Sequence, residues 1–240
     1  DCLLSRGLGD VYKRQIIYFV ILMVLPLWAQ HKVKSNYEKY SQVRSTSGKT
    51  GQEVALEILH ANGIYDVDVV EGQGFLTDHY DPRKKVLVLS PANFSRPSVA
   101  GTAIAAHEVG HAIQHAQGYF FLRFRTSLVP LANIGSSIGY LAVFAGIILT
   151  SLQSTLGSTA LWIGIAFMSF AVLFSIVTLP VEFNASSRAM KQIQSLDIVN
   201  EKEYRHAKKV LTAAAMTYVA STAVALAELA RFILIARSSD

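Results

Sequence analysis

The sequence predicts a mainly α-helical fold: a four-helix transmembrane protein that also carries a small α+β cytoplasmic domain. The 240 residues are 51% hydrophobic and only 16% charged, which is too apolar for an ordinary soluble domain. The segment Thr126–Val181 contains no Asp, Glu, Lys, Arg or His and is long enough for two membrane spans. The remaining length suits one modest domain.

Residues Asp1–Gln15 are interpreted as a sequencing-adapter artefact and are left out of the fold prediction. The string SRGLGDVYKRQ, Ser5–Gln15, can be back-translated into the adapter of a transposase-based sequencing library. The alternative is a genuine polar N-terminal tail. If the artefact interpretation holds, the single cysteine, Cys2, is not native, and a metal site must use histidine and carboxylate ligands.

The apolar run at residues 16–29, IIYFVILMVLPLWA, is predicted to be the C-terminal part of a truncated transmembrane helix 1. The run is shorter than the roughly 20 residues that a span needs, and truncation explains the difference. A signal-peptide core is the alternative interpretation. It is disfavoured because no small-residue cleavage pattern follows.

Residues 30–125 are predicted to form the cytoplasmic α+β domain. Thr50 and Glu53 have the spacing of a capping box, which starts a helix. Short strands are expected at Asp66–Glu71 and Lys84–Ser90, with a loop between them. The second of these strands is a candidate edge strand, which would pair with an extended substrate peptide.

Residues 126–180 are predicted to form transmembrane helices 2 and 3, and residues 210–236 transmembrane helix 4. The polar segment 181–209 between them is expected to be helical. With four spans, the basic residues of 31–125 near the first two spans and those of 181–209 fall on one side, and the short loop QSTLGST on the other side has none. The positive-inside rule therefore places residues 31–125 and 181–209 in the cytoplasm of a multi-pass protein of the cell (inner) membrane.

The motif AAHEVGHAIQH, on a helix predicted within the cytoplasmic domain, indicates a metal site. His107 and His111 lie one helical turn apart, so both imidazoles can face one ion. Glu108 lies beside them, where a general base for a zinc-activated water belongs. HExxH on a helix is the signature of zinc hydrolases. The alternative is a set of unrelated histidines on one helix.

The third ligand must come from elsewhere in the chain. His115 lies about 12 Å along the helix axis from His107, too far to share an ion, and is expected to be a surface histidine. Glu182, in TLPVEFNASSRA, stands on the first turn of a predicted helix on the cytoplasmic side. Two histidines from one helix and a glutamate from another form a known catalytic zinc arrangement. The alternative for Glu182 is a first-turn glutamate that faces the helix dipole.

Three segments, LTDHYDPRKKVLVLS, AAHEVGHAIQHAQGYFFLRFR and TLPVEFNASSRA, resemble the membrane-bound neutral zinc metallopeptidases, the YugP-like group. The resemblance runs from about residue 16 to about residue 237. It implies a gluzincin-like zinc peptidase domain with Zn2+ as cofactor. It further implies that His107, His111 and Glu182 are the metal ligands and that Glu108 is the catalytic glutamate.

Two positions depart from the pattern of related proteins. Asn184 and Ser186 stand where relatives often have Asp, so neutral side chains must orient the zinc ligands here if those Asp residues normally do so. In the loop DHYDP, His79 or Tyr80 is a candidate hydrogen-bond donor to the oxyanion of the reaction. A turn stabilised by Asp81 is the alternative interpretation of this loop.

The combined prediction is a zinc-dependent membrane endopeptidase that hydrolyses peptide bonds at the cytoplasmic membrane face. The expected partners are the lipid bilayer and a peptide or membrane-protein substrate, with no nucleic acid. A non-catalytic zinc-binding membrane scaffold or regulator is the alternative. A transporter is disfavoured because Thr126–Val181 lacks charged residues.

Overall fold

The computed structural model describes residues 16–239. The segment interpreted as an adapter artefact lies outside the described residues. A short π-helical turn, Val20–Val24, precedes the first α-helix. The elements in chain order are α1 (Leu25–Ser41), α2 (Gly51–Ala61), β1 (Asp68–Glu71), β2 (His79–Asp81), β3 (Val86–Leu89), α3 (Pro91–Ser95), α4 (Val99–Ala116), α5 (Phe120–Ser151), α6 (Leu156–Ser195) and α7 (Glu201–Ser239).

Within the described residues, four helices are long and apolar enough to cross a membrane. They are Ile16–Ser41, Phe120–Ser151, Leu156–Ser195 and Glu201–Ser238. The mainly helical fold with four candidate membrane-spanning helices is therefore confirmed. The cytoplasmic orientation stays a prediction.

Helices α6 and α7 continue well past their apolar segments. The polar segment predicted at 181–209 consists of the end of α6, a short connection at 196–200 and the start of α7. Pro180 lies inside α6 and does not interrupt it. The prediction that Glu182 stands on a first helical turn is therefore wrong, because the helix begins far upstream at Leu156.

The described residues divide into two compact units. The first unit contains the residues up to Gln30, Arg125–Val177 and the residues from Thr217 onward. The second unit contains His31–Phe124 and Thr178–Met216. Every residue of the predicted metal site belongs to the second unit.

In the first unit, glycines allow close packing between α5 and α6. A Cβ atom added to Gly164 would lie 2.7 Å from the Val143 backbone nitrogen and 2.8 Å from the Gly139 carbonyl oxygen. Small residues that let backbones approach are typical of helix contacts in membranes, where the hydrophobic effect does not drive helix association.

The second unit contains a three-stranded sheet of order β1-β3-β2. Strands β1 and β3 are parallel, and strands β2 and β3 are antiparallel. Leu87 and Leu89 of β3 are fully buried because alternate residues of a strand share one face. Two predictions are wrong here. His79–Asp81 is a strand rather than loop, and β3 is the central strand, so it has no free edge for a substrate peptide.

Helix α2 begins as the sequence predicts. The Thr50 hydroxyl accepts a hydrogen bond from the Glu53 backbone N–H at 3.3 Å, and the Glu53 carboxylate accepts one from the Thr50 backbone N–H at 2.7 Å. This reciprocal capping box satisfies two N–H groups that would otherwise lack helical partners. Helix α2 in turn packs against α4, the helix that carries the HExxH motif.

Candidate metal centre

The candidate metal centre lies where α4 and α6 are in direct backbone contact. A Cβ atom added to Gly110 of α4 would lie 2.5 Å from the Ala185 carbonyl oxygen of α6. Gly110 stands one residue before His111, and Ala185 stands three residues after Glu182. The missing side chain at Gly110 therefore lets the two helices approach at the level of these site residues.

The three predicted ligands converge at this contact. Oε2 of Glu182 lies 3.3 Å from Nε2 of His107 and 3.6 Å from Nε2 of His111. One ligand atom from each residue lies within 4.8 Å of the others. His111 and Glu182 are buried, and His107 is partly buried.

The donor set fits zinc in both chemistry and spacing. Zinc is bound by imidazole nitrogens and carboxylate oxygens at about 2.0–2.2 Å, so the ligand atoms of a tetrahedral site lie roughly 3.3 Å apart. The two separations from the Glu182 carboxylate, 3.3 and 3.6 Å, agree with this spacing. Three protein donors leave the fourth position of such a site for water or substrate, as in catalytic zinc centres.

Each histidine is held in place through its other ring nitrogen. Nδ1 of His107 lies 3.1 Å from the Ser186 hydroxyl, and Nδ1 of His111 lies 3.1 Å from Oε1 of Gln114. The Gln114 oxygen can only accept, so Nδ1 of His111 donates to it, and Nε2 is the ring nitrogen that faces Glu182. Such outer partners orient metal-binding imidazoles.

Gln114 is a site residue that the sequence interpretation missed. Its side chain is fully buried, and Nε2 donates to the Val181 carbonyl at 2.8 Å and to Oδ1 of Asn184 at 3.0 Å. These two bonds fix the orientation of the amide, so its oxygen is turned toward His111. Gln114 thus connects the HExxH helix to the helix of Glu182. Its position three residues after His111, on the same helix face, is the signal that could have revealed it.

The two departures from the pattern of related proteins both have a role in the structure. Ser186 contacts Nδ1 of His107 directly. Asn184 reaches His111 only through Gln114. Its Oδ1 accepts hydrogen bonds from Gln114 and from Nε of Arg188, the latter at 2.7 Å. Neutral side chains therefore support both histidines here.

Glu108 lies among these groups and is only 8% exposed. Burial raises the pKa of Glu108 above its ordinary value, and His107 and His111 offset part of this effect. For His111, burial acts to lower the pKa, but the carboxylates of Glu182 and Glu108 outweigh it, and the pKa is raised. The site is thus a buried cluster in which the charge of each group changes the pKa of its neighbours.

His115 and Tyr80 form a separate contact, away from the three ligands. Nδ1 of His115 lies 2.8 Å from the Tyr80 hydroxyl, so His115 is a partly buried, bonded residue rather than a surface histidine. Burial, with the negative charges of Asp66 and Asp81, raises the pKa of Tyr80 to about 12. Asp81 accepts hydrogen bonds from the backbone N–H groups of Arg83 and Lys84, which is the turn considered as the alternative for this loop.

Comparisons with known proteins identify the family of the chain. A family model described as "Putative neutral zinc metallopeptidase" matches residues 15–237. The protein named "Putative membrane protease YugP", from Bacillus subtilis (strain 168), is 45% identical over 220 residues, which are 92% of this chain and 95% of that protein. No solved structure matches the chain. With the zinc-type donor set in place, the chain belongs to the neutral zinc metallopeptidase family.

Proposed function

We propose that the protein is a zinc-dependent membrane endopeptidase that hydrolyses peptide bonds at the cytoplasmic membrane face. The observation that carries the proposal is the convergence of His107, His111 and Glu182 beside the buried Glu108. Membership of the zinc metallopeptidase family and similarity to a membrane protease support it. His107, His111 and Glu182 hold the zinc ion.

Glu108 provides the acid–base chemistry of the reaction. When bound, zinc supplies the Lewis acidity that makes water a nucleophile at neutral pH. Glu108 accepts a proton from the water whose oxygen attacks the peptide carbonyl carbon. It then donates that proton to the peptide nitrogen as the carbon–nitrogen bond breaks. This gives a carboxylic acid and an amine, and a proton moves from the acid to the amine to leave a carboxylate and an ammonium group. Burial raises the pKa of Glu108 toward the range in which one group can act as both base and acid.

Chelation is the direct test of this function. The full chain, purified in detergent with zinc, is expected to cleave casein. A chelator is expected to stop cleavage because it removes the zinc ion. Added zinc should restore the activity, measured by release of casein fragments. Cleavage that continues in the chelator would contradict the proposal. A zinc-loaded protein that cleaves neither casein nor a pool of unrelated peptides would favour the non-catalytic scaffold.

The proposed cytoplasmic face gives a second prediction. A reporter domain inserted after Ser154, between α5 and α6, is expected to report the outside of the cell, because that loop has no lysine or arginine. A matched insertion after Asp197, between α6 and α7, should report the cytoplasm. The measurement is the activity of a reporter that works on one side of the membrane only. The opposite pair of signals would place the metal centre outside the cell.

A further inference from the structure

A groove of about 420 Å³ lies in the second unit between the end of α6 and the start of α7. We call it the α6/α7 groove. Its walls are two helix faces, one running from Phe183 to Gln194 and the other from Tyr204 to Ala215. Residues three and four apart share one helix face, so each wall is a continuous stripe.

The groove has an apolar floor and a cationic end. Met190 and Leu211 are buried in its floor, and Phe183 is 48% exposed on its wall. Lys191 and Lys208 line the same groove and are exposed. Within the described part of the chain, neither of these two lysines has a carboxylate at ion-pair distance. They therefore offer two unpaired positive charges beside an apolar surface.

Ser186 connects this groove to the metal centre. Its hydroxyl lies 3.1 Å from Nδ1 of His107, and the same residue lines the groove. Ser186 follows the ligand Glu182 by one helical turn, so the groove and the metal centre share this residue. Lys191 lies nine residues after Glu182, about 13.5 Å along the helix axis. An extended peptide covers that distance in about four residues.

The position of Lys191 favours a peptide over a lipid headgroup. Lys191 stands eleven residues beyond residue 180, where the predicted third span ends, which is about 16 Å along α6. The headgroup layer of a bilayer is only about 5–8 Å thick on each side. With α6 along the membrane normal, the Lys191 backbone therefore lies roughly 8 Å beyond the layer that holds phosphates.

We propose that the α6/α7 groove binds the substrate chain and that Lys191 and Lys208 select an acidic side chain about four residues from the cleaved bond. This inference rests on the proposed peptidase function and names its substrate class. The apolar floor contacts the residues between the cleaved bond and the acidic one. Exposed charge pairs are individually weak, so two lysines give a preference of roughly fivefold.

The test uses the full chain in detergent and two quenched fluorescent peptides that carry the same segment of casein. The peptides are identical except for Glu or Lys four residues from the central peptide bond, the bond at which cleavage is measured. The wild type is expected to show a kcat/KM about fivefold higher for the Glu peptide. The double variant K191E/K208E should prefer the Lys peptide instead. The matched variant K202E/K209E changes the charge equally on residues that do not line the groove, and should keep the wild-type preference.

Binding measured without turnover separates this inference from the proposed function. Fluorescence anisotropy with the Glu108→Gln variant should show tighter binding of the Glu peptide, and adding K191E/K208E should reverse that order. Equal binding of both peptides overturns the inference, even if casein is cleaved. A binding preference without any cleavage by the wild type supports the groove and overturns the peptidase function. Loss of binding to anionic phospholipid vesicles in K191E/K208E, with the peptide preference unchanged, overturns the inference in favour of a lipid.

Discussion

Replacing Glu108 by glutamine is expected to abolish casein cleavage while zinc remains bound. Glutamine keeps the shape of the side chain but cannot accept a proton from the attacking water, and general acid–base catalysis contributes about 10²–10⁴-fold in rate. The donor atoms of His107, His111 and Glu182 are untouched by this change. The measurements are the rate of casein cleavage and the zinc content of the same purified protein.

A matched glutamate elsewhere in the chain provides the control. Glu57 forms an ion pair with Lys49 in the second unit, away from the three ligands, so Glu57→Gln should leave both rate and zinc content near wild type. Unchanged cleavage in Glu108→Gln would show that Glu108 is not the general base. Abolished cleavage together with lost zinc would instead assign Glu108 to metal binding.

Replacing Glu182 by alanine is expected to remove most of the bound zinc. Glu182 supplies the single oxygen donor of the site, and its Oε2 is the atom that both histidine Nε2 atoms approach. Loss of an outer partner alone typically costs 10–100-fold in metal affinity, so loss of a ligand should weaken zinc binding by more than about a hundredfold. Zinc content after dialysis is the direct measurement, with about one ion per chain expected in the wild type.

Thermal unfolding gives a second measurement of the same change. A ligand that binds the folded state raises its stability in proportion to the logarithm of ligand concentration over Kd, so zinc should raise the Tm of the wild type and have little effect on Glu182→Ala. Glu201→Ala is the control, because Glu201 is exposed at the start of α7. Full zinc retention by Glu182→Ala would remove this residue from the site.

Local helix geometry made part of the site predictable from the sequence. The spacing of His107 and His111 fixes their shared direction on any α-helix, whatever the rest of the chain does. Glu182 could be predicted as a ligand by elimination, because few other acidic or histidine residues follow the motif. Gln114 could not be predicted by elimination. Its position three residues after His111 places it on the ligand face, but its role depends on how α4 docks on α6.

The sheet shows what could not be predicted from the sequence. His79–Asp81 is too short for an alternating pattern to be recognised, and it becomes a strand only because β3 pairs with it. The short apolar run in Lys84–Ser90 correctly predicted a strand, but the order of strands depends on the path of the whole chain. Likewise, the prediction of a helix start near Glu182 fails because the helix continues through Pro180, and a proline inside a long helix of a membrane protein is tolerated when neighbouring groups satisfy the freed carbonyl.

The three proposed zinc ligands come from two helices, α4 and α6, and this affects when the site can form during synthesis of the protein. His107 and His111 leave the ribosome before α5 exists, whereas Glu182 arrives only after the apolar parts of α5 and α6 have been translated. A nascent chain that has not yet delivered both segments to the bilayer has two imidazoles and no carboxylate. The proposed ion site, and the proteolytic activity that depends on it, would therefore be completed late in synthesis, after the apolar segments of α5 and α6 have been translated.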